Sequence, residues 1–212
     1  MRNRHKKHAK ERLDACGETV VHSTALFKDN PSALFCSNAP VHLEIGCGKG
    51  DFICGMANLY PEINFIAIER VNDVLVTAAE KVKGLSVDNV RLCRLDAAVL
   101  ADIFPKGSIE RIYLNFSDPW LKKRHYKRRL SHNGFLQIYK SILTENGSVF
   151  MKTDNNNLFE FSLLEFQNDG WRLENVTYDL YKSGFEPNIV TEYEKRFSSQ
   201  GIKIKRLEAY VK

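Results

Sequence analysis

The sequence predicts an α/β fold, a mostly parallel seven-stranded sheet with helices on both faces and an antiparallel C-terminal strand. Three observations carry this. From residue 41 onward, short apolar runs bounded by turn residues alternate with longer stretches of helical spacing. The runs are largely apolar along their whole length, as strands covered on both faces require. The late stretches WRLENVTYDL and IKIKRLEAYVK alternate polar and apolar residues instead, the pattern of a final antiparallel pair.

VHLEIG (41–46) is the first strand, and the helical spacing of 51–59 follows it. NFIAIE (64–69) and a helix over 72–83 make the next pair. NVRLCRL (89–95), RIYLNF (111–116) and SVFMKT (148–153) supply the third to fifth strands, with helices over 134–143 and 156–168 on either side of the fifth. The alternation implies right-handed crossovers. Ahead of the first strand, residues 1–40 read as a basic arm and a connecting segment, and residues 41–212 as one domain around one core. The arm, residues 1–12, is expected to be mobile when free and ordered on a bound partner.

The 212 residues include 31 Lys and Arg against 26 Asp and Glu, a formal charge of +5. The excess is local. Arg2, Arg4, Lys6, Lys7, Lys10 and Arg12 face one acid in the arm, and residues 122–129 hold six more bases and no acid. Elsewhere 19 bases stand against 25 acids, so one face is expected to meet a polyanion. The five cysteines show no C-x-x-C spacing, which argues against a zinc site and a disulfide framework and points to a reducing cytoplasm. No metal is expected. No apolar run approaches the ~18 residues of a membrane helix, and no membrane partner is expected. The assembly is expected to be a monomer or a homodimer.

GCGKG (46–50) follows the first strand and opens a helix. Glycines there let the backbone approach a ligand and aim helix N-terminal amides at it. A P-loop needs Ser or Thr after Lys49 and finds Gly50, and a dinucleotide fingerprint counted from Gly46 needs Gly or Ala where Asp51 stands. What remains is G-x-G-x-G with Glu44 two residues upstream; a turn without a ligand is the plain alternative. Acids downstream favour a ligand. Glu69 ends the second strand, Asp96 the third, and Asn115 and Asp118 follow the fourth. Ligands of open α/β sheets bind outside the carboxyl ends of the strands, so these groups belong to one crevice. A carboxylate at Glu69 suits two ribose hydroxyls, and Asp96 suits an adenine amino group.

The glycine motif with its upstream acid resembles the first motif of Rossmann-like S-adenosylmethionine methyltransferases. A closer likeness rests on RNRHKKHA near the start, LEIGCGKG, IAIER, LNFSDPW followed by KKRHYKRRL, KTDN (152–155) and TEYEKRF (191–197). Across essentially the whole chain the sequence resembles the bacterial tRNA (guanine-N7-)-methyltransferase family, which modifies a guanosine of the tRNA variable loop. It departs at Leu121, where the family commonly has Pro; Pro would fix φ there, and no proposed ligand group is lost. The resemblance implies a Rossmann-like class I methyltransferase, S-adenosylmethionine as cofactor and tRNA as partner. It implies cofactor contacts from Glu44, Gly46, Gly48, Glu69, Arg70, Asp96, Ala97, Asn115 and Asp118, with Asp118 also catalytic or acceptor-positioning. Substrate contacts would come from Lys122, Asp154, Thr191, Glu192, Tyr193 and Glu194. RNA contacts would come from Arg124, His125, Tyr126, Lys127, Arg128 and Arg129.

The implied chemistry is self-consistent. Guanine N7 has a lone pair and no proton, so it attacks a sulfonium methyl without a general base. The site must supply proximity, alignment and negative groups near a purine that becomes cationic, which suits Asp118. Asp154 and Glu194 could accept from the guanine N1–H and amino group and so select guanine over adenine. Trp120 reads either as a wall of the guanine pocket or as structural packing. The competing readings are a methyltransferase for another RNA or amine acceptor, and a catalytically silent RNA-binding module of the same fold.

Overall fold

The computed structural model describes residues 6–212; Arg2, Arg4 and His5 of the basic arm lie outside the described residues. In chain order the elements are α1 (Ala9–Asp14), β1 (Val20–Val21), β2 (Val41–Ile45), α2 (Asp51–Leu59), β3 (Asn64–Glu69), α3 (Asn72–Leu85) and β4 (Val90–Arg94). There follow α4 (Leu100–Ile103), β5 (Ile109–Asn115), α5 (Asn133–Ile142), β6 (Leu143–Thr153), α6 (Asn156–Asn168), β7 (Arg172–Thr177), α7 (Glu192–Ser198) and β8 (Lys205–Tyr210). They build one sheet in the order β1-β4-β3-β2-β5-β6-β8-β7. The pairs from β1 to β6 are parallel, and β8 runs antiparallel to both β6 and β7.

The sheet has eight strands rather than seven. The addition is β1, which sets Val20 opposite Leu92 on the outer edge of β4. A two-residue strand is too short to show any periodicity.

Period-two alternation divides the core between two faces. On β3, Phe65 and Ala67 pack with Phe52, Ile53, Leu75 and Val76 of α2 and α3. Ile66 and Ile68 point the other way, toward Leu136, Tyr139, Phe159 and Phe166 of α5 and α6. Both sets are fully or almost fully buried, which is why these strands read as continuous apolar runs.

The described part of the basic arm is anchored, contrary to the expectation from its charge. Ala9 of the arm packs against the core cluster beside α3, in which Leu13 and Cys16, just after the arm, are buried. Arg12 donates twice to the Glu80 carboxylate, at 2.8 Å each, and the Lys6 N–H donates to Asp73 at 3.0 Å. Apolar residues among the cations supply the docking that a purely charged segment lacks.

The arrangement places the site. β2 and β5 are neighbours, yet the crossovers after them leave in opposite directions, toward β3 on one side and β6 on the other. That divergence opens a crevice at the carboxyl ends of the strands.

Candidate active site

A cleft of about 1250 Å³ occupies this crevice. It exceeds the ~300–1,000 Å³ of an ordinary small-molecule pocket, leaving room for a base beside a nucleotide-sized cofactor. The 46–50 turn forms one wall. Gly46 and Cys47 donate their N–H groups to the Ile68 carbonyl at 2.8 and 3.1 Å, which ties the turn to β3. Gly50 has φ 84°, and a Cβ on it would stand 2.9 Å from the Ala78 Cβ. Only glycine lets the start of α2 come this close to α3.

Carboxylates follow along the same wall. Glu69 accepts from the Val71 N–H at 2.9 Å and the Gly48 N–H at 3.3 Å, so two amides fix its orientation and lone pairs remain for a ligand. Asp96 is exposed, accepts from the Ala98 N–H at 3.0 Å and lies 3.5 Å from the Arg70 guanidinium. Glu44 is buried. Asn115 donates to its Oε1 at 3.2 Å, while Oε2 has no partner among the described residues. Burial pushes this carboxyl up to about 7, against the opposing pull of the Asn115 hydrogen bond and the Lys152 charge. A buried acid with a free oxygen on a cleft wall is suited to a cationic donor.

Past β5 the chain turns sharply. Phe116 (φ 52°) and Trp120 (φ 41°) both lie in the left-handed region, where a non-glycine residue costs ~1–3 kcal/mol, so the surrounding packing must hold them. Between them Asp118 stands exposed on the cleft wall, and Trp120 lines the same cleft.

The basic run divides in two. Lys127 and Arg128 line the cleft, with the Arg128 guanidinium 5.0 Å from the Trp120 ring centre. Arg124 is exposed and donates to the His125 ring, which meets the edge of Trp120 at 5.7 Å between centres. Arg129 is not at an RNA surface at all: it is completely buried. Its guanidinium lies 3.7 Å from the Tyr126 ring centre and 4.5 Å from that of Phe161. It donates to the Pro119 carbonyl at 2.8 Å and to Asn157 Oδ1 at 2.6 Å. A flat, weakly hydrated guanidinium can be buried between aromatic faces in this way. Tyr126 forms one face of the stack and stays half-buried. Arg129, expected to touch RNA, instead braces the turn that carries Asp118.

The C-terminal segment closes the opposite side. Thr191 caps α7 by accepting from the Glu194 N–H at 3.0 Å, and Thr191, Glu192 and Tyr193 line the cleft. Glu194 does not. Fully buried, it is bonded to Lys152 at 2.6 Å and cannot reach a guanine. Asp154 and Lys122 are absent from the cleft lining; Asp154 borders a separate hollow with Lys203 and Lys205. Three cations on the cleft wall were not anticipated, Lys6, Lys49 and Arg196. Arg196 belongs to the TEYEKRF motif, which marked it, whereas Lys6 is there only because α1 docks on α3.

The family model described as "Putative methyltransferase" matches residues 38–207. A Listeria monocytogenes serotype 4b (strain F2365) protein named tRNA (guanine-N(7)-)-methyltransferase is 49% identical over 209 residues, 99% of this chain and 98% of that one. A Bacillus subtilis (strain 168) protein of the same name is 46% identical over 208 residues, 98% of each. The chain belongs to the tRNA (guanine-N7-)-methyltransferase family. Its fold recurs at low identity. A SAM-dependent methyltransferase from Aquifex aeolicus aligns with TM-score 0.59 at 14% identity over 98% of this chain and 100% of that one. The 16S rRNA methyltransferase KamB aligns with TM-score 0.60 at 12% identity over 89% and 90%.

The cleft of this tRNA (guanine-N7-)-methyltransferase family member fits S-adenosylmethionine. The unpartnered Glu44 oxygen answers an ammonium, and Glu69 a pair of hydroxyls. Gly46 and Gly48, in the left-handed region at φ 77° and 56°, have no atom within 4 Å where a Cβ would stand, so the backbone is open to the ligand. Among the described residues no cluster of His, Cys, Asp or Glu is arranged to hold a metal ion, and no helix is long and apolar enough to cross a membrane.

Proposed function

We propose that this chain transfers a methyl group from S-adenosylmethionine to N7 of a guanosine in the variable loop of tRNA. When bound, the cofactor supplies a sulfonium methyl. Glu44 holds its ammonium end, Glu69 its ribose hydroxyls and Asp96 its adenine amino group, with Arg70, Ala97 and Asn115 around them. Asp118 neither gives nor takes a proton. Its carboxylate orients the acceptor and offsets the positive charge that develops on the purine.

The observation that carries this reading is the adjacency of Asp118, Lys127 and Arg128 on the wall of one cleft with Glu44 and Glu69. Two cations beside the acceptor carboxylate would hold the RNA backbone and deliver the base. Trp120 and Tyr193, both on the wall, offer rings for a splayed base to stack on. Lys122, Arg124 and His125 extend the basic surface outward. Five free thiols support a reducing compartment, the cytoplasm.

The test uses labelled cofactor and tRNA. Unmodified tRNA is expected to acquire one 7-methylguanosine on nucleoside mapping, and tRNA carrying 7-deazaguanosine at that position is expected to acquire none. Methyl transfer that survived the 7-deaza replacement would exclude N7 as the acceptor.

A further inference from the structure

We propose that Lys152 is a positioning residue: its buried ion pair with Glu194 clamps the 188–198 segment over the cleft and fixes the cofactor turn relative to the acceptor turn. The inference rests on the methyl-transfer reading above for its effect on catalysis, but the clamp itself is a property of the free protein.

Lys152 and Glu194 are 7% and 0% exposed at their side chains. All three ammonium hydrogens are used. Lys152 Nζ donates to Glu194 Oε2 at 2.6 Å, to the Ile189 carbonyl at 2.9 Å and to Asn188 Oδ1 at 3.0 Å. Every partner belongs to the same segment. The second carboxylate oxygen, Glu194 Oε1, accepts from Asn188 Nδ2 at 2.6 Å and from the Tyr181 hydroxyl at 3.1 Å. All three ammonium hydrogens and both carboxylate oxygens are thus engaged within the protein.

The clamped segment touches both halves of the site. Lys49 of the cofactor turn donates to Glu192 at 2.8 Å, and the Glu192 N–H donates to Asp51 Oδ2 at 3.1 Å. Ile189 packs so closely on α2 that a Cβ on Gly55 would stand 2.5 Å from its Cγ2. On the other side Phe197 stacks on Phe116, with ring centres 6.5 Å apart and planes 20° apart. Phe116 opens the turn that carries Asp118, and its N–H donates to the Lys152 carbonyl at 2.9 Å. Residue 152 therefore holds the acceptor turn with its backbone and the C-terminal segment with its side chain.

A pair of apolar residues would fill the same space at similar stability. What the ion pair adds is a single register: a charge network has one satisfied arrangement, whereas apolar packing slides. Methyl transfer requires N7, methyl carbon and sulfur in line, so an error in that register is felt as lost rate.

Hydrogen exchange on the free protein tests the clamp directly. In K152M and in E194Q, amides of residues 188–198 are expected to exchange at least tenfold faster than in the wild type, with α5 and α6 unchanged. The double variant K152M/E194Q is expected to be no faster than the faster single variant, because both act on one network. N188A removes a bridge between the two charges from a half-buried position and is expected to give about a threefold acceleration. It keeps the test alive if K152M fails to fold.

In methyl transfer, K152M is expected to lower kcat at least tenfold with a less than threefold change in KM for tRNA. If Glu194 instead contacted the base directly, K152M would leave the exchange of 188–198 unchanged, and that result would overturn the clamp. So would a double variant whose effect is the product of the single ones. Faster exchange in a protein that does not methylate tRNA would leave the clamp standing and remove the methyl-transfer reading instead.

Discussion

Replacing Glu44 with Gln should stabilise the free protein at alkaline pH while weakening cofactor binding. Burial raises this carboxyl from an ordinary 4.5 to about 7. At 1.36 kcal/mol per pH unit, that amounts to roughly 3 kcal/mol against the ionised form. The sign follows from proton counting. Between about pH 4.5 and 7 the folded state holds a proton on Glu44 that the unfolded chain has lost, so stability falls as pH rises and levels off above 7. Gln carries no such cost. Free E44Q is therefore expected to exceed the wild type by about 1–3 kcal/mol near pH 8 and by little near pH 5, read from denaturant or thermal unfolding at both.

Cofactor binding should run the other way. A cation beside Glu44 stabilises the ionised form, so wild-type affinity should rise between about pH 5.5 and 7.5 with release of a proton, visible as a buffer-dependent heat in titration calorimetry. E44Q should bind more weakly and with a flat profile. A free E44Q that gains nothing over the wild type near pH 8 relative to pH 5 would refute the cost assigned to the buried carboxylate. A wild-type affinity that is flat over the same range would refute it equally.

Asp118→Asn keeps the shape of the side chain and removes its charge; methyl transfer at saturating cofactor is expected to drop about 10²-fold, and full activity would exclude the electrostatic role. Arg128→Ala and Arg129→Ala should separate the two halves of the basic run. The first should reduce the salt dependence of tRNA binding by about one counterion at little cost to stability. The second should leave that slope alone and lower stability by ~2–4 kcal/mol, because the Pro119 carbonyl and Asn157 lose a donor and two aromatic rings lose their filling. Gly50→Ala forces a φ of 84° and a 2.9 Å contact with Ala78; a loss of about 2 kcal/mol or more is expected from the melting temperature.

Where burial on both faces dictates composition, the fold was legible. β2 and β3 lie where their apolar runs lie, and α2 and α6 begin and end at the expected residues. β6 begins at Leu143, five residues before SVFMKT, because the chain passes from α5 directly into the strand through polar residues that carry no strand pattern. That Glu44, Glu69 and Asp96 share one cleft was legible for a related reason: these acids sit at or near strand ends, and strand ends are readable. The substrate half was less so. Nothing in KKRHYKRR distinguishes the cation that turns inward, because Arg129 is buried by Phe161 and Asn157, residues 28 or more positions away. Likewise TEYEKRF marks Glu194 as special without showing that Lys152, 42 residues upstream, already occupies it.

The antiparallel course of β8 bears on how this protein can be handled. Lys205 lies opposite Thr153 at the cleft end of β6, and Tyr210 opposite Ser148 at the far end. The chain therefore leaves the sheet on the side away from the cleft. A fluorophore, purification tag or surface tether attached after Lys212 would stand at the end of the sheet opposite the cleft. Lys6, by contrast, stands on the wall of the cleft itself.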